Sequence, residues 1–279
     1  NLLMQERTFD WKAADGTYIY AREWQAEQAR AVVCLAHGLG EHIGRYETFA
    51  EWFVERGITV IGYDRRGHGK SAGKRGHSPG MEPLLDEVAR LLVEAETRYQ
   101  DLPTFLYGHS QGGGLALSYA LHRHPNLAGI IASAPWISLA FEPPAPLIAL
   151  GKLMRRIYPA FQQSNNLKPA HLCRDPDVVE AYEADPLVHD RITAGNAINM
   201  MEEGAWLLRQ RVDFPCPLLV LHGTGDKVTS AAASAAFVAH LSGDVQYEAF
   251  DGLYHELHNE PEWERVLEKV EKWMSARIA

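Results

Sequence analysis

The sequence predicts an α/β fold: a mostly parallel sheet with helices on both faces and a helical segment inserted late in the chain. Three observations predict it. Continuous apolar runs at 31–36, 58–63, 104–107, 129–134, 217–221 and 245–250 read as strands buried on both sides. Amphipathic, helix-periodic stretches alternate with them, as parallel pairing requires. The alternation then breaks between about residues 141 and 214, too long a stretch for a plain loop.

The elements follow in order. Residues 7–24 alternate around Asp15-Gly16, a hairpin turn signal, so the chain opens on a strand pair. After the 31–36 strand, residues 46–56 are helix-periodic, with Phe49, Ala50, Phe53 and Val54 inward and Gly57 as the stop. The 58–63 strand leads to an amphipathic helix over 84–99 that buries Leu84, Leu85, Val88, Leu91, Leu92 and Ala95. The 104–107 run enters Gly108-His109-Ser110-Gln111-Gly112, and a helix follows over 113–120. The irregular stretch opens with Pro143-Pro144-Ala145-Pro146 and shows no clear strand. It reads as a helical cap over 141–212, inserted into a core of 1–140 and 213–279. Helices over 230–241 and 262–276 flank the last strand.

Composition narrows the function. Lys and Arg number 27 against 36 Asp and Glu, so the formal charge is 27 − 36 = −9 and nucleic-acid binding is disfavoured. Cys34, Cys173 and Cys216 are odd in number and widely spaced, without disulfide or metal-ligand pattern; a reducing, cytoplasmic setting fits. No apolar run approaches the roughly 20 residues of a membrane span. Asn1-Leu2-Leu3-Met4 lacks a charged-then-apolar signal pattern.

The chemistry starts at Ser110. Strand, G-x-S-x-G, helix is the context in which a sharp turn presents a serine hydroxyl above the sheet. The amide of Gln111 then lies at a helix start, where N–H groups are unpaired and negative charge is favoured. Such a serine needs a base, usually a histidine oriented by a carboxylate. In a parallel sheet both should leave the carboxyl ends of strands. Asp226 does so after 217–221, and His255 after 245–250. Asp244 and Asp251 border turns, His240 lies within a helix, and His258 sits farther into the C-terminal segment. Ser110, Asp226 and His255 are therefore the candidate catalytic set. The 37–42 loop, His37-Gly38-Leu39-Gly40-Glu41-His42, follows an early strand, so the Leu39 amide is the candidate second oxyanion donor beside that of Gln111. Structural roles are the expectation for His37, His109 and His222.

These segments resemble the monoacylglycerol lipase and lysophospholipase branch of the α/β-hydrolases, a serine aminopeptidase S33-like family. His37 to His42 with Arg45-Tyr46 is similar to its H-G-x-G-E-H…R-Y segment. Tyr63-Asp64-Arg65-Arg66-Gly67-His68-Gly69-Lys70-Ser71 resembles its next loop. Gly108 to Gly112, His222 to Asp226, and Tyr254-His255-Glu256-Leu257-His258-Asn259-Glu260 match in order. The resemblance implies an eight-stranded core, no cofactor, and hydrolysis of single-chain lipid esters: monoacylglycerols first, then lysophospholipids and short carboxyl esters. It also implies that Glu41 and Arg45 lie at the polar, headgroup end of the pocket. Thr229 stands where the mammalian lipases of the branch carry a cysteine. A proline-iminopeptidase-like aminopeptidase would instead need a carboxylate for a free amine, with Glu142, Glu180, Glu183, Glu202 and Glu203 as candidates. A silent ligand receptor is the rival from another class.

Other patterns carry less. Gly69-Lys70-Ser71 ends like a phosphate-binding loop, but Asp64 fills the required first glycine position. Arg65, Arg66, Lys70, Lys74 and Arg75 read as a solvated basic loop. His255-Glu256-Leu257-His258 is one residue short of H-E-x-x-H, so no metal is indicated. In the early cap, Leu147, Leu150, Leu153, Met154 and Ile157 share one helical face, with Lys152, Arg155 and Arg156 opposite and Ile148 as the exception. That face either roofs an acyl pocket or rests peripherally on an anionic membrane.

Overall fold

A computed structural model describes residues 4–278; the signal-pattern reading of Asn1, Leu2 and Leu3 falls outside them. Among the described residues eight strands form one sheet. They are β1 (Gln5–Lys12), β2 (Tyr18–Gln25), β3 (Ala31–Ala36), β4 (Ile58–Tyr63), β5 (Thr104–His109), β6 (Gly129–Ser133), β9 (Leu218–Gly223) and β10 (Val245–Phe250). Their spatial order is β1-β2-β4-β3-β5-β6-β9-β10. β1–β2 and β2–β4 pair antiparallel and the other neighbours parallel.

The inner strands β3, β4, β5, β6 and β9 are buried on both faces, whereas the edge strands β1 and β10 are not. Along β3, Val32, Cys34 and Ala36 enter one core cluster and Ala31, Val33 and Leu35 the other. The period-two alternation of a strand thus feeds two cores, which explains an unbroken apolar run. Helices α2 (Met81–Arg98), α3 (Gln111–Arg123) and α7 (Ala231–Ala239) cover the first face, while α1 (Glu47–Val54) and α8 (Trp263–Ser275) cover the second. Helix α8 buries Val266, Leu267, Val270, Trp273 and Met274. Each such side chain contributes about 1.5–3 kcal/mol relative to exposure.

The chain leaves β3 toward β4 on one side and returns to β5 on the other. The connections leaving the carboxyl ends of adjacent β3 and β5 therefore run to opposite faces of the sheet, which opens the crevice where open α/β sheets place ligands. The 37–42 loop and Ser110 both emerge there.

Between β6 and β9 lie α4 (Ala145–Ile157), β7 (Gln162–Ser164), α5 (Pro176–Ala184), β8 (Arg191–Thr193) and α6 (Ala194–Leu208). β7 and β8 pair antiparallel. No strand is readable there from the residue pattern, because three residues are too few to display a period. The later part of this segment is stitched to core loops: His189 N–H donates to Gly40 O at 2.9 Å, Thr193 N–H to Gly76 O at 3.1 Å, and Asn196 Nδ2 to Gly76 O at 3.0 Å. Among the described residues of α4, none is buried.

Candidate active site

Ser110 sits between β5 and α3 with φ 55° and ψ −117°. A non-glycine residue in this region is strained by about 1–3 kcal/mol. Its neighbours fix it: Ser110 N–H donates to Ser133 O at 3.0 Å, and Ser110 O accepts from Gly114 N–H at 3.0 Å and Trp136 N–H at 2.8 Å. The turn closes only because two flanking residues lack side chains. A Cβ on Gly108 would collide with the Gly112 carbonyl, and one on Gly112 with the carbonyls of Ala36 and His37.

The structure brings Ser110, His255 and Asp226 into one hydrogen-bonded line. Ser110 Oγ lies 2.9 Å from His255 Nε2, and His255 Nδ1 lies 2.7 Å from Asp226 Oδ2. With Nδ1–H donating to the carboxylate, Nε2 is left to accept the serine proton. Asp226 Oδ1 accepts from the amides of Val228 at 2.7 Å and Thr229 at 3.1 Å. Its Oδ2 also lies 3.0 Å from His222 Nε2 and 3.0 Å from the Thr229 hydroxyl. Burial pushes the Asp226 pKa up, but the two imidazoles outweigh it and hold the carboxyl well below the usual range. Burial alone would keep His255 neutral, yet the Asp226 carboxylate raises it above its ordinary value. Its neighbours differ: burial holds His109 well below the ordinary value and brings His258 down to about 4. His109, whose ring centroid lies 4.8 Å from that of His255, is therefore a neutral packing partner.

Leu39 lies in the cavity wall beside Ser110, and Gln111 is the first residue of α3, where its amide has no intrahelical partner. Glu41 also reaches the wall. Its Oε1 accepts from Gly38 N–H at 2.6 Å and from the Tyr46 hydroxyl at 2.7 Å. Arg45 does not line the cavity. Its fork grips Glu256 at 2.7 and 2.8 Å and Glu41 at 2.8 Å. Burial pushes Glu41 up, whereas the Arg45 fork outweighs burial at Glu256 and keeps that carboxylate ionised.

Ser110 and His255 open onto a cavity of about 470 Å³, walled by Trp136, Leu139, Leu147, Ile148, Ile198 and Met201. The α4 stripe is divided. Leu147 and Ile148 face the cavity, while Leu150, Leu153 and Ile157 are exposed, Ile157 by 70%. Ile148, the exception to the apolar face, lines the cavity as well. The acids weighed for an amine, Glu142, Glu180, Glu183, Glu202 and Glu203, lie among the described residues outside the cavity wall. Glu202 pairs with Arg155 and Glu203 with His122.

The serine aminopeptidase S33 family model matches residues 27–262. The chain belongs to this family. A monoacylglycerol lipase of Mycolicibacterium smegmatis is 35% identical over 251 residues, covering 89% of each chain. An uncharacterized abhydrolase domain-containing protein of Dictyostelium discoideum is 38% identical over 253 residues; the match spans 89% of this chain but 26% of that longer protein. The crystal structure of Paleococcus ferrophilus monoacylglycerol lipase superposes with a TM-score of 0.85 at 34% identity, covering 93% of this chain and 99% of that one. The fold is accordingly the α/β-hydrolase fold, with the mostly parallel eight-stranded sheet that the S33-like resemblance implied.

Sequence reasoning missed several supporting groups. Arg65 and Arg66, read as solvated, are buried. Arg66 bridges Glu87 and Asp15, at 2.5 and 2.8 Å. Asp64 is a buttress, accepting from the amides of Ile43 at 2.8 Å and Lys70 at 2.7 Å. His222, expected in a structural role, supports Asp226 from the end of β9.

Proposed function

We propose that the protein is a serine carboxylic-ester hydrolase that cleaves monoacylglycerols to fatty acid and glycerol through an acyl-enzyme. One observation carries the reading: a serine hydroxyl bonded to a buried histidine–aspartate pair opens onto an apolar cavity of ligand size. Ser110 Oγ attacks the ester carbonyl as its proton passes to His255 Nε2. The amides of Leu39 and Gln111 hold the oxyanion, each contributing about 3 kcal/mol. Collapse breaks the bond to glycerol, and His255 returns the proton to the leaving alkoxide. Water then gives a proton to His255 and adds to the acyl carbonyl; collapse frees the fatty acid and restores Ser110. Asp226 remains ionised throughout, consistent with its depressed pKa.

Residues 141–212 act as the cap and shape the acyl end. Glu41, braced by Arg45, marks the polar end for the glycerol hydroxyls. Lysophospholipids and short esters share this chemistry and are the next substrates. An aminopeptidase activity is disfavoured, because the wall carboxylates Glu41 and Glu256 are already engaged by Arg45. Among the described residues no helix is long and apolar enough to cross a membrane. The exposed Leu150, Leu153 and Ile157, with exposed Lys152 and Arg156 on the other side of the same helix, support peripheral docking of α4 on an anionic bilayer, the source of the substrate.

The test is hydrolysis of monooleoylglycerol together with fluorophosphonate labelling. Ser110→Ala should lose both. A variant that keeps both moves the nucleophile elsewhere, and turnover of a prolyl-naphthylamide without ester cleavage transfers the reading to an aminopeptidase. Ligand binding without either activity identifies a receptor.

A further inference from the structure

Arg65 is a guanidinium only 1% exposed, yet among the described residues no carboxylate hydrogen-bonds to it. A buried cation is costly unless something uses its donors. Its partners are the two halves of the candidate oxyanion site. Nε donates to His37 O at 3.0 Å, and Nη2 donates to Gly38 O at 2.7 Å and to Gln111 Oε1 at 3.1 Å. His37 completes the clamp. Its Nε2 accepts from the Arg65 amide at 3.0 Å, and its Nδ1 donates to Gly38 O at 2.7 Å. Burial and the Arg65 charge hold His37 far below its ordinary pKa, so the ring stays neutral with its proton on Nδ1.

We propose that Arg65 is a positioning residue that aims both oxyanion amides. In a trans peptide the carbonyl and the following N–H point in opposite directions. Two donors hold Gly38 O toward Arg65, so the N–H of Leu39 is directed away from Arg65. The same guanidinium holds the Gln111 side chain, whose Nε2 donates to Asn196 Oδ1 at 2.9 Å. That anchor fixes the residue carrying the second amide at the start of α3. Five donors in a rigid planar fork can bind several carbonyls at once; a lysine ammonium at the end of a flexible stem cannot reproduce the pattern. The arrangement also accounts for an unpaired buried charge, since carbonyl oxygens supply the negative ends that a carboxylate would otherwise provide.

The proposal rests on the ester-hydrolase reading, and Arg65→Lys tests it separately. The variant should melt cooperatively. Its kcat should fall about 10- to 100-fold, with KM within about two-fold, because misaimed donors act on the transition state rather than on the ground state. Affinity for a trifluoromethyl ketone, which forms an oxyanion on Ser110, should fall by the same factor. Affinity for an alcohol analogue of equal shape should not change. The acid limb of the pH profile should also stay in place, since the His255–Asp226 pair is untouched. Wild-type kcat and ketone affinity in folded Arg65→Lys would overturn the proposal, as would a loss confined to KM. If Arg65→Lys does not fold, Gln111→Met decides: it frees one half of the clamp and should lower kcat without raising KM, and an unchanged kcat is the overturning result. A wild-type protein inactive on esters and unlabelled by fluorophosphonate counts against the ester-hydrolase reading instead.

Discussion

Helices α3 and α4 each have 13 residues, α3 starting from Ser110 in the cavity wall and α4 lining the cavity itself, yet they are built in opposite ways. In α3, Gln111 through Ala120 are buried and glycines let the backbone press against β3 and β5. In α4 no described residue is buried, and its apolar side is divided between cavity and solvent. Proton transfer tolerates little displacement, so the helix behind Ser110 is locked by backbone contacts that no repacking can absorb. A helix that buries none of its residues and only lines the cavity is under no such constraint.

The largest effect should come from the locked side. Asp226→Asn should cut kcat by about 10⁴-fold while the protein remains folded. The pH profile carries a sign. Activity needs neutral His255, whose pKa lies above its ordinary value, so activity is lost as pH falls through that raised value. Without the carboxylate, burial dominates His255 and the acid limb should move to lower pH. An acid limb that does not move would break the assignment of Asp226 as its partner. Gly112→Ala comes next. The new methyl meets the carbonyls of Ala36 and His37, so stability should fall by about 1–3 kcal/mol in denaturant titration, with activity lost as well. A neutral substitution there would show that the floor is not locked.

On the α4 side the effects should be smaller and selective. Ile148→Trp should lower kcat/KM for long acyl chains about 10-fold relative to short ones, read from a series of monoacylglycerols. An unshifted preference would remove α4 from the roof. Leu150→Glu combined with Leu153→Glu should change stability by less than about 0.5 kcal/mol, since both side chains are exposed. The same variant should pellet less with anionic liposomes, and pelleting equal to wild type would end the membrane proposal.

Much of the locked side was legible in the sequence. Glycines at 108 and 112 announce a turn without room for side chains, and Asp226 and His255 follow strands visible as apolar runs. What was not legible depends on burial of polar groups. Five basic residues between 65 and 75 look alike in sequence, but the fold buries Arg65 and Arg66 and leaves Lys70 exposed. Nothing local distinguishes them, because their partners, Gly38, Gln111 and Glu87, come from three other elements. The same holds for Glu256, whose neighbour His255 drew attention while its own bonds to Arg45 span most of the chain. In the inserted segment, periodicity identified an amphipathic helix but not how its stripe divides, since the curvature of the cavity beside it is not written in α4.

The stitching of residues 189–196 to Gly40 and Gly76 fastens one margin of the insertion to the core, whereas α4 buries no residue and its Arg155 ties it to Glu202 of α6. A panel attached this way behaves as an interchangeable part. Exchanging α4 and the residues leading into it, 143–157, for the counterpart from a relative should shift acyl preference without disturbing the core beneath. Diversification of substrate choice in such a chain can proceed through the roof while the floor stays the same.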